Sequence, residues 1–169
     1  LAFLDGAQPV GTPEILAELD NRGVERVAIT LHVGYGTFQP VRVDRVEVHT
    51  LDPERFSISE PAADTINRAK REKRRIIAVG TTTTRALEAA ARAGRGIITP
   101  QSGWTDLFIY PGFRFRIVDA LMTNFHLPRS SLLMLVSALG GQEAVLTAYR
   151  QAIAREYRFY SYGDAMLVL

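Results

Sequence analysis

Residues 75–94 read RIIAVGTTTTRALEAAARAG. Ile76 to Val79 is a short apolar run, as a strand shows when both its faces are covered. Gly80 and four consecutive threonines interrupt it, and an Ala-rich helix follows to about Gly94, a natural stop. Strand, polar turn and helix make half of a βαβ unit. The turn sits at the strand's carboxyl end, the edge where open α/β sheets bind ligands.

Upstream, Thr12-Pro13-Glu14 supplies an N-cap, a proline at the first helical position and an acid in the first turn. That helix ends at Asn21-Arg22-Gly23. VERVAITLHV, residues 24–33, then reads as a strand, almost continuously apolar from Val27. VRVDRVEVHTL, residues 41–51, alternates with period two and predicts a half-exposed strand carrying His49 outward. Ser59-Glu60-Pro61 opens a helix over about 62–73. Downstream, GIIT, LFIYPG and FRIVDALM predict short β runs between 95 and 122. A helix runs from Ser130 to about Leu139, Gly140-Gly141 break it, and another covers 142–156. A loop and an apolar strand close the chain. The alternation predicts one three-layer α/β domain over 12–169, with residues 1–11 unassigned. Its sheet is expected to be mainly parallel, with helices on both faces, and to contain Val27–Val33, Ile76–Val79 and Leu121–Phe125.

Hydrophobic residues make up 47% of 169, enough for a core, and no apolar run reaches membrane-spanning length. No signal peptide is visible at Leu1 to Gly6. Cysteine is absent, which excludes disulfides and thiolate chemistry. The three histidines, at 32, 49 and 126, lack metal-ligand spacing, so no metal is expected. Net charge is only +2, but Lys70 and Lys73 are the only lysines among 20 basic residues. Arginine is suited to phosphate and to stacking. The cluster from Arg68 to Arg75 reads as a solvated surface outside the small-molecule pocket, with any RNA contact made to phosphate and not to bases.

Polar loops flank the apolar runs. GYGTF, residues 34–38, offers Gly34, Gly36 and Thr37 as half of a phosphate-binding pattern or as a tight turn. Thr81, Thr82 and Thr83, followed by Arg85, set hydroxyls and amides at a helix N-terminus, suited to a carboxylate. One side chain suffices to cap a helix, so four threonines exceed that need. TNFHLPRSS, residues 123–131, gathers Asn124, Phe125, His126, Arg129 and Ser130. His126 titrates near neutral pH; Pro128 stiffens the loop and Ser130 or Ser131 caps the next helix. Trp104, Thr105 and Asp106, and Tyr160, Tyr162 and Asp164, form further polar or aromatic stretches, which stack on a base or seal the core.

LHVGYGTFQPV, IIAVGTTTTRALE, SGWTDLFIYPGFRFRIVDALMTNFHLPRSSLLMLVSA and AYRQAIAREYRFYSYGDAMLVL resemble the S-adenosylmethionine:tRNA ribosyltransferase-isomerases of queuosine biosynthesis. The resemblance runs from about Thr12 to the C-terminus. Members of that family are longer and carry an additional β-barrel domain, which is expected to be absent from this chain. The family's PTAGLHFT-like segment is replaced here by GAQPVGTP.

The resemblance implies an enzyme that consumes S-adenosyl-L-methionine as co-substrate, with no metal. Its ribosyl group is transferred to a 7-aminomethyl-7-deazaguanine at the wobble position of tRNA with a GUN-type anticodon. Isomerisation gives epoxyqueuosine, and adenine and methionine leave. A cytoplasmic monomer with no membrane contact is implied. Placed on this chemistry, His126, His32 or Asp106 is the base that removes a proton from the carbon beside the sulfonium. Arg129 or the threonine turn suits the methionine carboxylate, and Asp106 or Asp164 its ammonium. Tyrosine and phenylalanine faces suit the sulfonium, at roughly 0.5–2 kcal/mol. The alternative is a truncated or non-catalytic relative that binds S-adenosylmethionine or RNA.

Overall fold

The computed structural model describes residues 2–4, 12–34, 41–43, 45–160 and 163–169. In chain order the elements are β1 (Ala2–Leu4), α1 (Pro13–Asn21), β2 (Thr30–His32), β3 (Glu54–Ile58), α2 (Glu60–Arg71) and β4 (Ile77–Val79). Then come α3 (Thr81–Ala93), β5 (Gln101–Thr105), β6 (Ala120–Asn124), α4 (Ser131–Gly140), α5 (Gln142–Ala154) and β7 (Ala165–Val168). The helix starts follow their caps. Thr12 and Ser59 each accept from the amide three residues on, and a proline occupies the first turn of α1 and of α2. Gly141, at φ 80°, joins α4 to α5 across a bend of 114°. Among the described residues no single helix is long and apolar enough to cross a membrane.

The α/β class holds, but the strands are arranged differently from the expectation. Four strands form a sheet in the order β1-β7-β6-β4, and three form a second in the order β2-β3-β5. Only β4 and β6 pair in parallel; the other described pairs are antiparallel. The single, mainly parallel sheet is therefore corrected to two sheets, the larger of them mixed. Ile76–Val79 and Leu121–Phe125 do share a sheet; Val27–Val33 does not join them. Val27 and Val33 are 42% and 53% exposed, so that run is not covered on both faces and its apolarity did not specify a partner. β1, in the unassigned segment, pairs with β7.

Three further corrections concern apolar runs that form no strand. The alternating run at 41–51 contains a single 3₁₀ turn, Val46–Val48, and no strand among its described residues. Val43 and Val48 are exposed, Val41 and Val46 are half-buried and only Leu51 is buried, so the alternation does not mark one covered face. GIIT and LFIYPG are not strands either. Ile98 and Ile109 are isolated buried anchors on either side of β5.

Carboxylates pin the strands that matter for the site. Glu88 of α3 is fully buried and accepts the backbone N–H groups of Arg116, Ile117 and Val118 at 2.9, 3.0 and 3.0 Å. These amides lie just before β6. Asp119 accepts the N–H of Ile76 at 2.9 Å, just before β4. Arg85 of α3 forms a buried ion pair with Glu54 of β3, at 3.2 Å with both side chains 2% exposed. That pair ties the helix following β4 to the second sheet. The basic cluster lies on the surface, as expected: Arg68 and Arg74 pair with Glu25, and Lys70 lies 3.9 Å from Asp119.

Candidate functional site

Parallel pairing of β4 with β6 brings their carboxyl ends to one edge. Gly80 donates its N–H to the carbonyl of Met122 at 2.8 Å, which sets the threonine turn beside the loop after β6. Between the two lies a cleft of about 330 Å³, lined by Thr81, Thr82, Thr83, Asn124, His126 and Tyr160. Leu31, Val33, Leu127 and Leu132 complete its apolar wall. That is at the small end of the range for small-molecule sites, roughly 300–1,000 Å³.

The threonines are not redundant caps. The N-cap of α3 is Gly80, at φ 91°, and no side chain caps this end. Thr84 turns inward and donates to the Gly80 carbonyl at 3.1 Å. Among the described residues the first-turn amides of α3 therefore have no intrahelical or side-chain acceptor, and they carry the positive end of the helix dipole to the cleft.

His126 is held from two sides. Its Nε2 lies 3.0 Å from the Thr123 hydroxyl, and its backbone N–H donates to the Tyr149 hydroxyl oxygen at 2.8 Å. Burial pushes the imidazole down to about 4, so the ring is neutral at physiological pH. Burial likewise pushes the Tyr149 phenol up to about 12. The preceding Phe125 lines the cleft but is fully buried, packed against Tyr149, Tyr157 and Phe159 at 5.3, 5.9 and 5.0 Å between ring centres. Ser130 caps α4, accepting from the Leu133 amide at 3.1 Å and donating to the Leu127 carbonyl at 2.8 Å. Arg129 sits at φ 56° with its side chain exposed, and its carbonyl accepts from Val41.

The other candidates are committed to protein partners or lie away from the cleft. Asn124 uses its side-chain amide on the carbonyls of Gly163 and Asp164. Asp164 accepts from the backbone and guanidinium of Arg158 at 2.7 and 2.9 Å, and that guanidinium holds its carboxyl below the usual range. Gly34 donates to the buried Glu54, and Thr105 accepts from the Leu107 amide. His32, Trp104 and Asp106 are exposed and do not line the cleft, and Arg85 is committed to its ion pair. Gly36, Thr37 and Tyr162 lie outside the described residues. Among those residues no cluster of three or more histidine or acidic side chains is placed to hold a metal ion.

Sequence reasoning missed two side chains that set the histidine. Thr123 was legible as the hydroxyl three residues before His126. Tyr149 had one signal: it sits on the buried stripe of α5, with Val145, Ala148 and Ala152. A buried tyrosine hydroxyl requires a partner.

Comparison with known proteins gives a consistent result. A family model described as queuosine biosynthesis protein matches residues 10–168. The S-adenosylmethionine:tRNA ribosyltransferase-isomerase of Heliobacterium modesticaldum is 56% identical over 158 residues, covering 94% of this chain and 46% of that protein. The protein of the same name from Desulfitobacterium hafniense is also 56% identical, with the same coverage. A crystal structure of S-adenosylmethionine tRNA ribosyltransferase from Thermotoga maritima superposes with a TM-score of 0.76 at 42% identity, over 94% of this chain and 50% of that one. The chain thus spans about half the length of the relatives it matches.

Proposed function

This chain belongs to the queuosine biosynthesis protein family, and on that premise we propose that its cleft binds S-adenosylmethionine as co-substrate of a tRNA ribosyltransferase-isomerase. One observation carries the reading. A helix N-terminus without a side-chain cap and a neutral histidine line the same cleft at the carboxyl edge of the sheet.

The first-turn amides of α3 and the hydroxyls of Thr82 and Thr83 receive the methionine carboxylate. The Tyr160 ring, half exposed at the cleft, offers a face to the sulfonium, worth roughly 0.5–2 kcal/mol. His126 takes the proton from the ribose 5′ carbon. The neighbouring sulfonium acidifies that carbon, so a weak base suffices, and neutrality leaves a ring nitrogen free to accept. Of the three bases considered from sequence, the proposal retains His126, because His32 and Asp106 do not line the cleft. The acceptor is the aminomethyl group of the wobble-position deazaguanine in a GUN-type tRNA. Its nitrogen bonds to the ribosyl carbon skeleton, adenine and methionine leave, and epoxyqueuosine results.

The test is adenine release, followed by chromatography with precursor-bearing tRNA and S-adenosylmethionine. His126→Ala is expected to lower turnover about 10²–10⁴-fold, with little change in melting temperature. Near-normal turnover with a lowered melting temperature would leave the histidine structural. The second reading is a module that binds S-adenosylmethionine without turnover. Calorimetric binding of S-adenosylmethionine with no adenine released would select it.

A further inference from the structure

The second sheet has one covered and one open face. Glu54, Phe56 and Ile58 of β3 point inward and are buried, with Gly103 of β5 set against the Phe56 ring. The open face shows two cross-strand rows. His32, Arg55 and Trp104 lie in register across β2, β3 and β5, and Thr30, Ser57 and Ser102 form the next row. Ser57 and Ser102 share a hydrogen bond of 2.8 Å. Trp104 is 68% exposed. Among the described residues no aromatic ring or guanidinium packs on its indole.

An indole is usually a large contribution to a core or an interface. Here it contributes little to the fold, and its strand register forbids it from turning inward. Its surroundings are polar: a guanidinium, an imidazole and three hydroxyls, with no carboxylate in either row. A lone indole among such groups is not a contiguous apolar patch of the kind that protein partners cover. Exposed aromatics on a sheet, flanked by arginine and hydroxyls, are how sheets stack unpaired bases and hold the adjoining phosphates.

We infer that this open face is a nucleobase-stacking surface for a single-stranded RNA loop, with Trp104 as the platform and Arg55 holding phosphate beside it. The inference rests on the tRNA part of the proposed function but not on the chemistry assigned to the cleft.

Trp104 is the chain's only tryptophan, so its emission reports on this face alone. Titration with a short RNA stem-loop is expected to quench that emission and to shield it from acrylamide. A fully paired duplex of similar length should do neither. In anisotropy with labelled RNA, Trp104→Ala should weaken loop binding roughly 5- to 150-fold, the equivalent of about 1–3 kcal/mol for one stacked base. Trp104→Phe should restore most of it. Arg55→Gln should lower affinity and reduce the salt slope by about one. Melting curves confirm that each variant is folded, as expected for exposed positions. RNA bound with unchanged Trp104 emission and accessibility overturns the inference, as does absence of binding. Concentration-dependent self-association removed by Trp104→Ala, with no effect of RNA, would assign the face to a second copy and also overturn it. Adenine release by His126 variants reads the cleft and not this face, so the two proposals fail separately.

Discussion

Glu88→Ala should cost far more than a helix substitution that leaves no buried amide without its acceptor. The carboxylate is fully buried and is shared by three consecutive amides at 2.9, 3.0 and 3.0 Å. Ile117 and Val118 are buried, whereas Arg116 is exposed and can turn to water. Two amides are therefore stranded, at about 1–3 kcal/mol each. Alanine's better helix propensity returns only a few tenths. The expected loss is about 4 kcal/mol, or roughly 8–16 °C in melting temperature for a domain of this size. Urea unfolding followed by far-ultraviolet circular dichroism measures it, with an unchanged m-value as the sign that only stability moved. Glu88→Gln keeps one carbonyl oxygen for the Ile117 and Val118 amides and should lose only about 1.5–3 kcal/mol. A loss below about 1 kcal/mol for the alanine variant, or equal losses for both, would refute the account of Glu88 as the anchor of β6.

Two other outcomes follow from the packing. The His126 ring should titrate near 4 by proton NMR, below its ordinary 6.5, so the unfolded chain binds the extra proton. Stability from this group is complete above about 6.5 and falls as pH drops through about 4; His126→Gln should flatten that slope, and a midpoint above 6 would contradict the burial argument. Gly140→Ala would set a methyl 2.8 Å from Val168 Cγ1 and 3.1 Å from Val145 Cγ2, both valines being fully buried. Overpacking of that kind costs about 1–3 kcal/mol, more than helix propensity returns, so a chemical melt showing a stabilised variant would count against it.

Local signals were legible wherever local chemistry decided the outcome. Thr12 with Pro13, Ser59 with Pro61, Gly94 and the Gly140-Gly141 break set helix ends within about two residues. The β4–α3 unit was readable because its run is short and followed directly by a helix, although only one face of β4 is covered: Ala78 is buried, whereas Ile77 and Val79 are 45% and 60% exposed. Strand partners were not readable. Val27 to Val33 and Ile76 to Val79 look alike in composition, yet they enter different sheets. The choice rests on Phe56 and Ile58 of β3, a strand whose sequence ERFSI carried too weak a signal to be expected. The cleft was half legible. Both of its loops were singled out, because hydroxyls and a histidine exceed what a turn needs. Asp164 and Arg85 were singled out for the same reason and are instead used up by Arg158 and Glu54, partners that the spacing of residues does not disclose.

The Glu54–Arg85 pair bears on how the two sheets come together. Each partner belongs to a different layer, and both are dehydrated in the folded chain. If either layer were completed alone, it would bury an uncompensated charge, a state disfavoured by about 3–5 kcal/mol. Partly assembled forms with one finished sheet are therefore poorly populated. The two layers should gain their structure in the same cooperative step, and the chain should melt as a unit and not one sheet at a time.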